Sequence, residues 1–426
     1  MLQLADEGRI DVRAPVTDYL PWFVIRSEFE PIRLHNLLSH TAGITSGIDF
    51  APSGAIQVWG LRDPVATTPP GTSFRSSDMG YKVLGEVLRA VTGEPYGSTI
   101  QTRIFDPLGL VDSVPTITHD VRPRLAVGYG PLRDERPWWP GRPLAPAAWL
   151  ETDTADGCLA MTAADLVRYL RMVLRRGEVD GKRVLSDDGF TRFTQRAIAT
   201  DEPPARSWYG YGINTSIGDG HTLLWHGGGM VGYFSGMIGD LDTGVGVVAL
   251  VNGPGAPNSI ARTTLAFVNA SVDGTPFAFP GLDDPMRIEA AAEVAGDYVA
   301  GDYVAGEGHD GPARLRIDAD GPALTLTVAG RETRLRSNGP DVFVTDAVPL
   351  ARFPLRLHRG DDLDRHLSYG DTLYRPVSLA IPAPAPEPVD RPAEWAAYPG
   401  PYRSHNPRTP MFRGVARQGR PWLAVP

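Results

Sequence analysis

The hydrophobic period of this sequence changes near Trp208, and that change constrains the fold more than any other feature. Before it, two segments over 76–94 and 161–178 place apolar residues at helical spacing between a capping residue and a glycine. After it, apolar residues come in short β-prone runs separated by Gly and Asp. We therefore predict an α/β (α+β) domain over 1–280, in which helices flank an antiparallel sheet and form a helical lobe.

The remainder of the chain has a different pattern. Over 286–380, apolar residues alternate on both sides of Asp320-Gly321, a strong hairpin signal, which predicts a small all-β C-terminal module. Residues 381–392 are rich in proline and predict a semi-rigid linker. Residues 393–426 echo the start of the β module and stop within a second strand, so we expect a partial second copy.

Composition excludes several functional classes. The net charge is −9 and the sequence has no dense run of Lys or Arg, so we expect no nucleic-acid partner. No apolar stretch reaches the roughly 18 residues that a membrane span needs. Cys158 is the only cysteine, and no His-Glu-x-x-His pair occurs. We therefore expect a buried thiol, no metal site and no cofactor. The sequence begins without a signal-peptide pattern, and its compartment stays unassigned. The sequence does not indicate an oligomeric state.

Six segments resemble, in order, those of the serine β-lactamase-like hydrolases, a family of class C β-lactamases, D-amino-acid peptidases and carboxylesterases. They are GRIDVRAPVTDYLP, LHNLLSHTAGI, PGTSFRSSDMGYKVLGEVLRAVTGEP, IFDPLGL, DGCLAMTAADLVRYLRMVL and LLWHGGGMVGYFSGM, within residues 1–275. The resemblance implies a β-lactamase/transpeptidase-like fold. It also implies hydrolysis of an ester or amide through an acyl-enzyme, with a small molecule or peptide as ligand.

The chemistry of this family needs three motifs in one cleft: Ser-x-x-Lys, Tyr-x-Asn, and Lys-Thr-Gly or His-x-Gly. The third is present as His226-Gly227-Gly228. In the second, Ser76 replaces the tyrosine and Asp78 replaces the asparagine. A serine hydroxyl is shorter than a phenol and titrates far higher, and aspartate has no amide donor. The resemblance thus implies a substrate site at Asp78, His226, Gly227 and Gly228.

A simpler interpretation competes at the second motif. Ser76, Ser77 and Asp78 can serve only to cap the helix that Gly93 closes. By the same reasoning we expect His40 to be structural and Tyr81 to pack in the core, one helical turn beyond the motif.

The first motif is absent, because Met79 and Val179 stand three residues before the two lysines. The family places it a few residues before the segment that matches the uncapped helical start at Met1. We therefore expect the hydrolase domain to be incomplete at its N-terminus. The leading hypothesis is a hydrolase family member that has lost activity. The alternatives are a pseudoenzyme that binds a peptide or small carbonyl ligand in the degenerate cleft, and a non-functional gene fragment.

Overall fold

The computed structural model describes residues 1–46, 53–200, 206–281, 284–300, 311–360, 365–370, 372–377, 400–403, 411–417 and 420–424. The chain forms two compact units, one of residues 1–130 and 146–280, the other of residues 131–145 and 281–426. The sequence alone assigns 131–145 to the first domain, whereas the segment lies with the second unit. The predicted linker 381–392 lies outside the described residues.

The sheet of the first unit has six antiparallel strands, which confirms the antiparallel sheet that the β-prone runs predict, and the strand order follows the sequence. The strands are Ile198–Thr200, Ser207–Tyr209, Asn214–Gly218, His221–Met230, Tyr233–Asp240 and Gly246–Val251. The hairpin before the last strand turns at Gly244, whose φ is +74°. A left-handed φ of this kind favours glycine.

Two helices, Ala163–Leu174 and Pro257–Asp273, flank this sheet. A Cβ added at Gly239 would meet the Leu174 side chain at 2.7 Å, and one at Gly236 would meet Asn258 Oδ1 at 2.6 Å. Side chains alternate along a strand, so residues three apart point to opposite faces. The helices therefore cover opposite faces, which confirms the predicted flanked sheet.

The helical lobe is built around helix Asp78–Thr92. Ser77 caps its N-terminus, and Gly93 closes it at a φ of +77°, as the sequence predicts. Val83 and Val87 are completely buried on the predicted apolar face. The other helices of the unit are Leu2–Asp6, Leu34–Leu38, Gly54–Trp59, Tyr96–Ile100, Asp106–Leu108 and Asp187–Phe193, with 3-10 turns at Val16–Asp18, Gly60–Arg62 and His119–Arg124 and a π turn at Gln101–Phe105.

Cys158 is buried, as predicted, and its thiol donates to the carbonyl of Pro115 at 3.2 Å. Burial raises the pKa of this thiol to about 12, so it stays protonated and unreactive.

The second unit contains a nine-stranded antiparallel sheet, which confirms the predicted β-rich C-terminal domain. In sheet order its strands are Arg331–Arg334, Ala323–Val328, Arg314–Asp320, Gly296–Ala300, Thr372–Pro376, His366–Tyr369, Leu355–His358, Val342–Val344 and Arg336–Ser337. The two edge strands are consecutive in sequence, separated by Leu335, so the sheet curls into a barrel-like shape. Its core includes the fully buried Tyr298, Tyr369 and Tyr374. A helix, Ala291–Val294, and a 3-10 turn, Val348–Leu350, accompany it.

The hairpin signal at Asp320-Gly321 is confirmed with a shift of one residue. Asp320 pairs with Ala323, so Gly321 and Pro322 form the two-residue loop. Gly321 has a φ of +57° at the first loop position, where type II′ turns place glycine.

The remaining strands lie outside the two main sheets. Strands Gly400–Arg403, Met411–Arg417 and Arg420–Ala424 form a three-stranded antiparallel sheet. Short hairpin strands pair Tyr129–Pro131 with Leu144–Pro146 and Glu178–Val179 with Lys182–Arg183. Within the described ranges, no helix combines the length and hydropathy needed to cross a membrane.

Candidate functional site

The His-x-Gly sequence lies within one uninterrupted strand, His221–Met230. His226 pairs with Met237, Gly227 with Gly236 and Gly228 with Ser235. The strand therefore continues through Gly227 and Gly228, although the sequence predicts that glycines in this region separate the β-prone runs. Burial lowers the pKa of His226, which is consequently neutral near pH 7.

A phenol reaches His226 from a nearby strand. Tyr209, the last residue of strand Ser207–Tyr209, places its hydroxyl 3.1 Å from Nε2 of His226. Tyr209 also forms a side-chain hydrogen bond with Tyr81, whose own hydroxyl donates to the carbonyl of Leu38 at 2.9 Å. Burial raises the pKa of Tyr81, so its phenol is neutral. Tyr209, His226 and Tyr81 therefore form a connected polar network.

His40 joins this network to the second motif. Its Nδ1 accepts the backbone N–H of Ser77 at 3.1 Å, which requires a neutral ring. Burial, followed by the proximity of His226, lowers the pKa of His40 to about 4. Its ring centroid lies 4.9 Å from those of Tyr81 and Tyr209. His40 therefore has the structural role that the sequence predicts, and it also packs against the phenol beside His226.

The residues of the second motif differ in their surroundings. Ser77 is buried, and its hydroxyl donates to the carbonyl of Thr45 at 2.7 Å and accepts the N–H of Gly80 at 3.1 Å. Ser76 is exposed and forms no hydrogen bond within the described part of the chain. Asp78 is the first residue of the helix, where its charge complements the helix dipole. The structure thus links this segment to His226 through His40 and Tyr209.

The two glycines after His226 face opposite sides of the sheet. A Cβ at Gly227 would meet Nδ2 of Asn258 at 2.6 Å, on the side covered by helix Pro257–Asp273. A Cβ at Gly228 would meet Oγ of Ser235 at 2.7 Å. Gly227 therefore allows close helix packing, whereas Gly228 lies on the His226 side of the strand.

Tyr209 is the residue of this arrangement that sequence reasoning misses. The aromatic run WYGYGIN indicates a strand but does not single out one tyrosine. The register pairs Tyr209 with Asn214 and Asn214 with Trp225. Paired residues share a face, so strand alternation alone places Tyr209 with Trp225 rather than with His226.

The described residues contain one group with donor atoms suited to a metal ion: His221, Asp240 and Asp242, whose candidate atoms lie within 4.8 Å of one another. The Asp240 carboxylate, however, already receives hydrogen bonds. Oδ2 lies 2.7 Å from Nδ1 of His221 and accepts from Asn269 at 2.9 Å, and Oδ1 accepts the N–H of Asp242 at 2.9 Å. These bonds stabilise the turn between two strands and account for the burial of this carboxylate.

Comparison with known proteins identifies the first unit. The family model described as Beta-lactamase matches residues 1–270. Penicillin-binding protein 4 of Amycolatopsis lactamdurans is 29% identical over 315 residues, covering 70% of this chain and 80% of that protein. A putative D-alanyl-D-alanine carboxypeptidase of Salmonella paratyphi B is 23% identical over 46% of this chain and 52% of its own length.

Solved structures support the same fold. The octameric penicillin-binding protein homologue from Pyrococcus abyssi aligns with a TM-score of 0.58 and 23% identity, over 88% of this chain and 84% of that one. A D-stereospecific amidohydrolase from Streptomyces sp. aligns with a TM-score of 0.51 and 24% identity, over 65% of this chain and 83% of that one.

Proposed function

The chain belongs to the β-lactamase family, and on that premise we propose that a protein of this sequence keeps the fold of these hydrolases but does not form an acyl-enzyme. The sequence contains no Ser-x-x-Lys, so a lysine cannot activate a serine one helical turn away. Ser76 occupies the position of the motif tyrosine, and its hydroxyl is a poor proton carrier at neutral pH.

The observation that carries this proposal is the hydrogen bonding of Ser77. Its hydroxyl proton is directed to the carbonyl of Thr45, and its oxygen accepts the N–H of Gly80. The nearby imidazole of His40 accepts a backbone N–H rather than this hydroxyl. A buried serine that caps a helix and has no base on its hydroxyl is not an activated nucleophile.

A second candidate function is binding without turnover, and the Tyr209–His226 pair favours it. A phenol and a neutral imidazole 3.1 Å apart offer donor and acceptor atoms to an amide or ester carbonyl. Relatives carry the names penicillin-binding protein and D-alanyl-D-alanine carboxypeptidase. On this proposal the ligand is a small carbonyl compound or a peptide that ends in D-alanine.

Mass spectrometry of the intact protein tests the first proposal. The chain is incubated with penicillin or a fluorophosphonate probe, and we expect no added mass. Stoichiometric labelling at Ser76 or Ser77, abolished by Ser→Ala at that position and weakened by His226→Ala, would overturn the proposal.

Thermal melting with a D-alanyl-D-alanine peptide tests the second function. A ligand that binds only the folded state raises the melting temperature. Binding predicts a rise that Tyr209→Phe reduces, while a matched L-alanyl peptide serves as control. No rise with the D-alanyl-D-alanine peptide, or an equal rise with both peptides, would contradict recognition of a D-alanyl peptide.

A further inference from the structure

The loop over 131–145 carries a tight turn that fixes an arginine above a tryptophan. The N–H of Arg142 donates to the carbonyl of Trp139 at 3.1 Å, across Pro140 and Gly141. Gly141 has a φ of +97°, so the turn has proline and glycine at the central positions that a type II turn prefers. The Arg142 guanidinium lies 3.5 Å from the ring centroid of Trp139, which is buried.

This turn forms one wall of a cavity of about 540 Å³ that lies entirely within the second unit. Its volume falls in the range of about 300 to 1,000 Å³ that is typical of small-molecule sites. The charged residues that line it are Arg133, Arg136, Arg142, Arg336 and Asp346. Four guanidinium groups therefore face one carboxylate, and that carboxylate is paired with Arg142.

Two of these arginines are incompletely neutralised. The Nε of Arg136 is buried and has no hydrogen-bond partner in the described part of the chain. One carboxylate oxygen of Glu135 forms ion pairs with Arg136 Nε at 3.7 Å and with Arg133 at 3.6 Å, distances too long for hydrogen bonds, and Glu135 does not line the cavity. Within the same ranges Arg336 forms no ion pair. An unsatisfied buried donor on a charged group is costly, so an acceptor that enters the cavity is stabilised.

We propose that this cavity binds a small organic anion that carries at least two negative charges on phosphate or carboxylate groups. Guanidinium groups match the planar, bidentate geometry of both groups. Arg142 is held by Trp139 and Asp346, so it is already ordered before a ligand arrives, which lowers the entropic cost of binding. Arg133, Arg136 and Arg336 supply further positive charge, of which the Glu135 carboxylate neutralises only part.

Isothermal titration calorimetry on the full chain at low salt tests this inference, with pyrophosphate and citrate as separate probes. We expect one binding event per chain for at least one probe, and weaker binding as salt rises. The two titrations distinguish a phosphate site from a carboxylate site. Arg136→Gln and Arg336→Gln should each weaken binding about tenfold or more, because each removes charge-assisted hydrogen bonds.

Arg331→Gln is the matched control, because Arg331 is an exposed arginine of the same unit that does not line the cavity. It should leave the affinity unchanged. Arg136→Lys retains the charge without the planar fork and should give an intermediate affinity even if the glutamine variant does not fold. Failure of both probes to bind, or equal affinity in the Arg136, Arg336 and Arg331 variants, would overturn the proposal.

Discussion

The hydroxyl of Tyr209 lies 3.1 Å from Nε2 of His226, so a strand outside the second motif supplies a phenol to the histidine of the third. The same ring packs 4.9 Å from His40 and 5.3 Å from Phe74, between ring centroids. The position of this phenol is therefore set by these two aromatic neighbours as well as by its hydrogen bonds.

Replacement of Tyr209 by phenylalanine should remove its hydrogen bonds to His226 and Tyr81 and retain the ring packing. The unfolding free energy should fall by about 1 to 3 kcal/mol, because each of the two bonds usually contributes about 0.5 to 1.5 kcal/mol. The NMR signals of the His226 ring should shift because its Nε2 loses a partner. Tyr233→Phe is the control, since that hydroxyl donates to the Ala126 carbonyl. Unchanged His226 signals in Tyr209→Phe would contradict the assigned contact.

The stability of the protein should fall as pH drops from about 6.5 to about 4 because of His40. Its pKa is about 4 in the folded protein and about 6.5 when unfolded, so the unfolded state binds more protons across that window. The full difference corresponds to roughly 3 kcal/mol.

His40→Asn provides the measurement for this pH effect. Asparagine tolerates the φ of +55° at this position and keeps an acceptor for the Ser77 N–H. Urea unfolding at several pH values should show a shallower slope between pH 4 and 6.5 in the variant. Parallel curves for both proteins would mean that His40 does not contribute.

Lys82→Met should destabilise the protein strongly. Lys82 is buried, and its Nζ lies 2.7 Å from Oε1 of Gln57 and 3.3 Å from Oδ2 of Asp156. Removal of one partner of a buried ion pair costs about 3 to 5 kcal/mol because the other charge remains buried. The double variant with Asp156→Asn should recover part of this loss.

Chemical denaturation gives the four corners of this double-mutant cycle. Arg89→Gln on the same helix is the control, because its ion pair with Glu86 is exposed on the arginine side and should contribute about 1 kcal/mol or less. Equal losses for Lys82→Met and Arg89→Gln would refute the importance of the buried pair.

Gly236→Ala should destabilise the sheet by roughly 1 to 3 kcal/mol through overpacking. A Cβ there would meet the backbone N of Asn258 and the backbone C of Pro257, both at 2.9 Å. Gly227→Ala should cost less, since it meets only the end of the Asn258 side chain. Gly60→Ala has open space and is the control. A neutral Gly236→Ala, measured by thermal unfolding, would argue against this helix position.

Local sequence signals predict much of this fold. The caps at Ser77 and Gly93, the antiparallel strands after Trp208 and the hairpin after Asp320 follow from spacing and turn chemistry, which act over a few residues. At the centre of the second sheet, Gly296–Ala300 pairs with Thr372–Pro376 across a long stretch of chain, and no local pattern encodes this pairing.

The site is less predictable for a related reason. His226 is identified by the family pattern, whereas the approach of Tyr209 depends on where its strand ends and on how His40 packs. The left-handed backbone of His40 and its bond to the Ser77 N–H are equally tertiary features. Aromatic contacts between segments that are far apart in the sequence produce no periodic sequence pattern.

The polypeptide passes between the two units three times, after residues 130, 145 and 280. In domains that are fused end to end, the polypeptide passes from one domain to the other only once. Such domains can be exchanged by recombination at that linker. Here a crossover near residue 280 would transfer the barrel-like sheet without the Trp139–Arg142 turn, and would separate Arg142 from Asp346. Transfer of the second unit by recombination therefore requires residues 131–145 as well as residues 281–426. We expect these two segments to evolve together.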